Sequence, residues 1–116
     1  MSELTTNDVK SLIQKEMNKI DDTRLYYECK QWRMRLCYGS AKSMKYIKAV
    51  IALHNLGLPI TIPLVGLVIP TSYQAIRQML RGLGDKHVLV LKRYHDKQTK
   101  MNEWQVNGAF YNKIIG

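Results

Sequence analysis

Apolar residues recur every three or four positions through most of this chain and switch to alternation only near its end. Val9, Leu12, Ile13, Met17 and Ile20 step at helical spacing behind Thr5, Thr6 and Asn7, whose side chains can cap a first helix. Asp21-Asp22-Thr23 interrupts the pattern and can cap a second helix, in which Leu25, Cys29, Trp32 and Leu36 recur up to Gly39. A third helix is predicted from Ser40, with Tyr46, Ile47, Val50, Ile51 and Leu53 as its buried stripe. Gly57 then fits the left-handed position that closes a helix.

Leu58-Pro59-Ile60 reads as a short extended stretch. Thr61 can cap a fourth helix, in whose first turn Pro63 is tolerated because the amide there has no helical partner. Pro70 must end that helix or follow its end. Thr71 and Ser72 are candidate caps for a fifth helix, with Ile76, Met79, Leu80 and Leu83 as one apolar stripe. Gly84-Asp85 is expected to turn the chain into a strand, Val88-Leu89-Val90-Leu91. Tyr94 to Lys100 is polar and reads as a loop, and Glu103 to Val106 alternates as a second strand, so the two strands make a hairpin. Ala109 to Ile115 closes the chain as either a short helix or a strand.

The 116 residues amount to one domain, and 46% hydrophobic residues supply a core. There is no Gly/Ser linker, repeat or low-complexity segment. Residues 1–39 therefore read as an N-terminal helical extension packed on residues 40–116. The fold class expected is mainly α with a β-hairpin, α+β.

Charge changes the picture. Lys+Arg number 18 against 9 Asp+Glu, a formal +9. That excess favours a polyanionic partner, nucleic acid or an anionic membrane surface. The plain alternative is charge that serves solubility. The basic residues are spread over several elements instead of lining one long helix, which speaks against a membrane surface. The longest apolar run, Ile62 to Pro70, is broken by Pro63 and Gly66 and is too short to span a bilayer. The polar N-terminus lacks the apolar segment of a signal peptide. A soluble, cytoplasmic protein with no membrane partner is expected.

No reaction chemistry stands out. His54, His87 and His95 are widely separated, and neither cysteine sits at metal-ligand spacing. His54 reads as a capping or surface residue. If Cys29 and Cys37 share a helix, they lie about 12 Å apart, too far for a disulfide, and are free thiols of a reducing compartment. There is no phosphate-binding loop, dinucleotide fingerprint or nucleophile elbow. The acids are scattered, with no pair placed for acid–base work. The expectation is no enzyme activity, no metal and no cofactor.

Residues 60–93, with the helix before them, resemble the winged helix-turn-helix family, as in its small bacterial, plasmid and phage regulators. Gly66 stands where that family has a small residue, Ile69 fills the large apolar position before the turn, and Ile76 the apolar position early in the recognition helix. Leu83 falls at the core leucine, and Val88 at the apolar residue starting the wing strand. Two positions depart from the pattern: Pro70 stands where Gly is usual in the turn, and His87 where Gly usually ends the recognition helix. The resemblance implies a winged helix-turn-helix with two N-terminal helices added. It also implies a sequence-specific regulator that binds double-stranded DNA, acts as a homodimer paired through terminal helices, and is nucleoid-associated when bound.

With the apolar stripe of the fifth helix inward, its other face presents Tyr73, Gln74, Arg77, Gln78 and Arg81. Arg matches a guanine edge and Gln an adenine edge. Gln74, Arg77 and Gln78 are the expected base readers, and Arg81 and Tyr73 the backbone contacts. Thr71 and Ser72, near the helix start, suit phosphates. The plain alternative is an ordinary solvated face. In the hairpin, Lys92, Arg93, His95, Lys97 and Lys100 face only Asp96, which suits a minor groove or flanking phosphates; a charged tip also simply solvates a loop.

A second basic stretch runs from Arg24 to Lys48, with Tyr26, Tyr27, Trp32 and Tyr38 interleaved. It reads as a single-strand stacking platform, as packed aromatics under a charged exterior, or as a dimer surface. Lys42, Lys45 and Lys48 are candidates for the DNA backbone. Two other functions stay open. The tail WQVNGAFYNKI is similar to the Asn-x-x-Phe tail of small plasmid and phage replication proteins of this fold, which implies replication initiation or partition through centromere binding. A winged helix is also used as a protein–protein adaptor without DNA, against which Arg77 and Arg81 argue.

Overall fold

The caps foreseen at the N-terminus form, in a computed structural model that describes residues 5–32, 40–93 and 103–115. The side chains of residues 40–42, 93 and 115 are outside that description. Asp8 N–H donates to Thr5 Oγ1 at 3.2 Å and Thr5 N–H to the Asp8 carboxylate at 3.1 Å, a capping box that starts α1 (Thr6–Asn18). The Asp21 carboxylate accepts from the Thr23 and Arg24 amides and starts α2 (Asp22–Gln31).

Helix α2 ends at Gln31, short of the run toward Gly39 that its spacing predicts, and Trp32 leaves helical geometry. Its indole N–H donates to the Lys86 carbonyl at 3.1 Å, and its ring meets Phe110 edge-on with centroids 5.4 Å apart. Leu36 and Cys37, on which the rest of the predicted stripe and the spacing of the two cysteines fall, lie outside the described residues. Cys29 is buried.

Helix α3 (Ser40–Asn55) is the central element. Tyr46, Ile47, Ala49, Val50, Ile51, Ala52 and Leu53 are all buried, so it is enclosed on nearly every side. It closes on Gly57 at φ 71°: Leu58 N–H reaches Leu53 O at 2.9 Å and Gly57 N–H reaches His54 O at 3.1 Å, the two bonds of a Schellman end. Helix α4 (Ile62–Val68) follows, with Pro63 in its first turn. Thr61 stands at its N-cap, but its side chain makes no capping bond and is buried instead.

Helix α5 (Tyr73–Asp85) buries Ile76, Leu80 and Leu83. Gly84 does not turn the chain, contrary to the expectation from Gly84-Asp85. It is helical, and a Cβ on it would stand 2.8 Å from Cζ3 of Trp104, so the missing side chain is where helix and hairpin approach. The turn comes at His87, a residue with a side chain held at φ 61°. Val88 N–H bonds Leu83 O at 2.9 Å and His87 N–H bonds Gly84 O at 3.1 Å, the same Schellman pattern as at Gly57. An L-residue there costs roughly 1–2 kcal/mol. Asn107 Nδ2 donates to the His87 carbonyl at 2.9 Å, and Trp32 holds the carbonyl before it, so two side chains fix this bend.

Strands β1 (Leu89–Arg93) and β2 (Glu103–Val106) pair antiparallel, Leu89 with Val106 and Leu91 with Trp104, with an irregularity between Leu91 and Arg93. Val88 lies just before the strand and is fully buried. The extended stretch at Ile60 bridges Trp104, whose N–H reaches Ile60 O at 2.9 Å, so β2 is flanked on both edges. The tail is a helix, α6 (Gly108–Ile115), capped by Asn107 Oδ1 accepting from Ala109 N–H at 3.0 Å, with Phe110 and Ile114 buried.

Among the described residues the fold is six helices and a two-stranded hairpin, an α+β class. Helix α1 packs on α3 and α4, and α2 on α3 and α6. Ile13 and Met17 of α1, and Leu25 and Cys29 of α2, belong to the same buried cluster as Ile47, Val65, Leu80, Val106 and Phe110. No described helix is long and apolar enough to cross a membrane.

Candidate nucleic-acid interface

Helices α4 and α5 meet closely at Gly66. A Cβ there would stand 3.4 Å from Cδ1 of the buried Ile76, at the edge of ordinary contact, so Gly66 marks where α4 faces the inner stripe of α5. Ile69 is buried before the turn, and Pro70 and Thr71 are exposed in it. Ser72 caps α5 by accepting the Ala75 amide proton on Oγ at 3.2 Å. That contact uses an oxygen lone pair and leaves the hydroxyl hydrogen to donate outward.

The structure brings Gln74, Arg77, Gln78 and Arg81 together on the exposed side of α5, with Tyr73, 52% exposed, at the start of the helix. Within α5 the first acid is Asp85, its last residue. Among the described residues, neither Arg77 nor Arg81 takes part in an ion pair. Their guanidinium donors are therefore turned to solvent. With five donors in a fixed fork and no acceptor, each is suited to paired acceptors such as a phosphate or the edge of a guanine.

The other candidates divide. In β1, Lys92 Nζ stands 3.6 Å from Glu103 Oε1 across the hairpin. The side chain of Arg93, and His95, Lys97 and Lys100, lie outside the described residues, as does the side chain of Lys42. Lys45 is exposed. Lys48 is 19% exposed and bonded to Asp22 at 2.7 Å, which ties α3 to the first turn of α2 and offsets its charge. Lys45 and Lys48 line an open groove of about 820 Å³ with Met17, Tyr26, Met44 and Val68.

The aromatics of the second basic stretch separate likewise. Trp32 is a packing residue, half-buried against Phe110 with the Lys113 ammonium 5.8 Å from its ring centre. Tyr26 and Tyr27 are exposed, and Tyr38 is outside the described residues. His54 is exposed, with its ring against Tyr111 at 4.5 Å, while the Tyr111 hydroxyl bonds Asn55. Burial, with the charge of Glu28 adding to it, pushes the Cys29 thiol up to about 12, so it stays protonated at neutral pH. Burial also raises Tyr46, whose hydroxyl has no hydrogen-bond partner among the described residues.

Two residues that hold this region have roles that the sequence pattern does not reveal. The spacing places Trp32 in a helical stripe, and Asn107 stands only as part of the tail. The one signal available for Asn107 was its place before Gly108, where an Asn caps a helix. Nothing in the sequence linked either to the end of α5. No protein-family model, no curated protein and no solved structure matches this chain.

Proposed function

We propose that the chain is a winged helix-turn-helix protein that binds double-stranded DNA sequence-specifically, as a transcriptional regulator acting as a homodimer. The observation that carries the reading is the face of α5: Gln74, Arg77, Gln78 and Arg81 exposed together, with no acid before Asp85. The order α3, α4, turn, α5, hairpin supports it, as does the packing of α4 on α5. Ile60 beside β2 supports it further, since it adds a third extended segment to the hairpin. In this reading α5 enters the major groove and the hairpin lies along the flanking backbone. The formal +9 charge draws the protein to the polyanion and makes its affinity fall steeply with salt. Exposed Leu12, Tyr26 and Tyr27 on α1 and α2 support pairing through the N-terminal helices.

The test is selection of bound duplexes from a random pool at low salt, followed by a mobility shift on the enriched site. A regulator of this kind enriches a palindromic or repeated site. A site iterated over an origin or centromere would instead favour the replication or partition role. No retention of any duplex at micromolar protein would overturn DNA binding and favour the adaptor role.

A further inference from the structure

We infer that α5 recognises a core of about four base pairs in which a G·C pair faced by Arg77 lies within two steps of an A·T pair faced by Gln74. This rests on the proposal that α5 enters a DNA major groove, and it adds which bases the groove must carry.

The argument starts from where the exposed residues fall. Successive helical residues turn by about 100°. Ala75, Ile76, Met79, Leu80 and Leu83 are buried or half-buried and define the inner side of α5. On the outer side Arg77, Arg81, Gln74 and Gln78 then follow one another across an arc of about 100°. Tyr73 falls at the edge of that arc.

Charge sets which end of the arc comes closest. A duplex carries one negative charge per roughly 1.7 Å of its axis. Asp85 is exposed on the same arc at the C-terminal end, which is also the negative end of the helix dipole. Both oppose close approach there. The N-terminal half, with Gln74, Arg77 and Gln78, is the part left to meet base edges.

Spacing and donor geometry then assign the bases. Arg77 and Gln78 stand about 4.5–6 Å along the axis from Gln74. Base pairs stack roughly 3.4 Å apart, so these side chains address pairs one or two steps from that of Gln74. Arg81 lies about 10 Å along, near the third step. A guanidinium offers two parallel donors, which match guanine O6 and N7. A carboxamide offers one donor and one acceptor, which match adenine N7 and its exocyclic amine. Among the described residues Arg77 is exposed and has no ion pair to give up on binding.

Duplex selection with the full chain tests this, run in parallel on the wild type, Arg77→Gln and Gln74→Arg. Both positions are exposed, so a thermal melt is expected to match the wild type for each variant. The wild type is expected to select a G·C and an A·T pair one or two steps apart. Arg77→Gln should replace that G·C by A·T, and Gln74→Arg should replace that A·T by G·C. Each variant should bind the wild-type site about five- to a hundredfold more weakly. A wild-type site without this pair of bases, or variants that select an unchanged site, would overturn the inference and leave DNA binding standing. A pool that the wild type does not enrich would overturn both.

Discussion

Helix α3 is enclosed on nearly every side, whereas α5 buries one stripe and leaves the opposite face bare. Both carry basic residues. On α3, Lys48 is fastened to Asp22 at 2.7 Å and holds α2 in place. On α5, Arg77 and Arg81 are in no ion pair among the described residues. The same kind of charge thus serves assembly at Lys48 and is left unneutralised, among the described residues, at Arg77, Arg81 and the exposed Lys45 of α3.

The largest effect that would break this contrast is loss of the core it depends on. Leu80→Ala on the buried stripe of α5 should cost roughly 2–5 kcal/mol, comparable to Ile47→Ala on α3, as read by denaturant unfolding. Arg77→Ala on the exposed face should change stability by less than about 0.5 kcal/mol. If Arg77→Ala were as damaging as Leu80→Ala, the exposed face would be part of the scaffold.

A smaller effect separates two glycines of α5. Gly84→Ala pushes a methyl against the Trp104 ring, at 2.8 Å before anything moves. It should destabilise by about 1–3 kcal/mol through overpacking, more than the helical preference of Ala returns. Gly82 has nothing within 4 Å, so Gly82→Ala should stabilise by up to about 1 kcal/mol. A melt in which both changes move the midpoint the same way would contradict the close approach of α5 and β2.

Comparison of the helix ends gives the next effect. α3 closes on Gly57 at φ 71° and α5 on His87 at φ 61°. His87→Gly relieves the left-handed strain and should stabilise by about 1 kcal/mol, while Gly57→Ala should destabilise by a similar amount. Equal responses at the two positions would mean that Trp32 and Asn107, not backbone preference, set the bend after α5.

The smallest effect lies inside α3. Tyr46→Phe removes a buried hydroxyl that has no partner among the described residues and keeps the ring, so stability should be unchanged or rise by about 1 kcal/mol. A clear loss in a urea titration would show that the hydroxyl is bonded in solution.

Much of this fold was legible because it is written in local signals. Thr5, Asp21 and Ser72 cap helices through their own amides, Gly57 ends α3, and the stripe Ile76, Leu80, Leu83 defines the inner side of α5. What was not legible depends on residues far apart in the chain. α2 stops at Gln31, and the Trp32 that follows it meets Lys86, distant in sequence. The sequence suggests a turn at Gly84 because glycine usually marks one, while its actual role is to make room for Trp104. The exposed face of α5 followed from helical period alone, because a stripe that fixes the inside also fixes the outside. The ion pair of Lys48 did not, because nothing local to α3 points to Asp22.

The central claim is that the bare face of α5 carries sequence information to DNA. It is tested most directly by fluorescence anisotropy on a selected duplex and a scrambled duplex, with the wild type and the double variant Arg77→Ala, Gln78→Ala. The account predicts that the wild type prefers the selected duplex and that the variant, with an unchanged melt, loses that preference while keeping salt-dependent binding to both. A variant that keeps the full preference would contradict it.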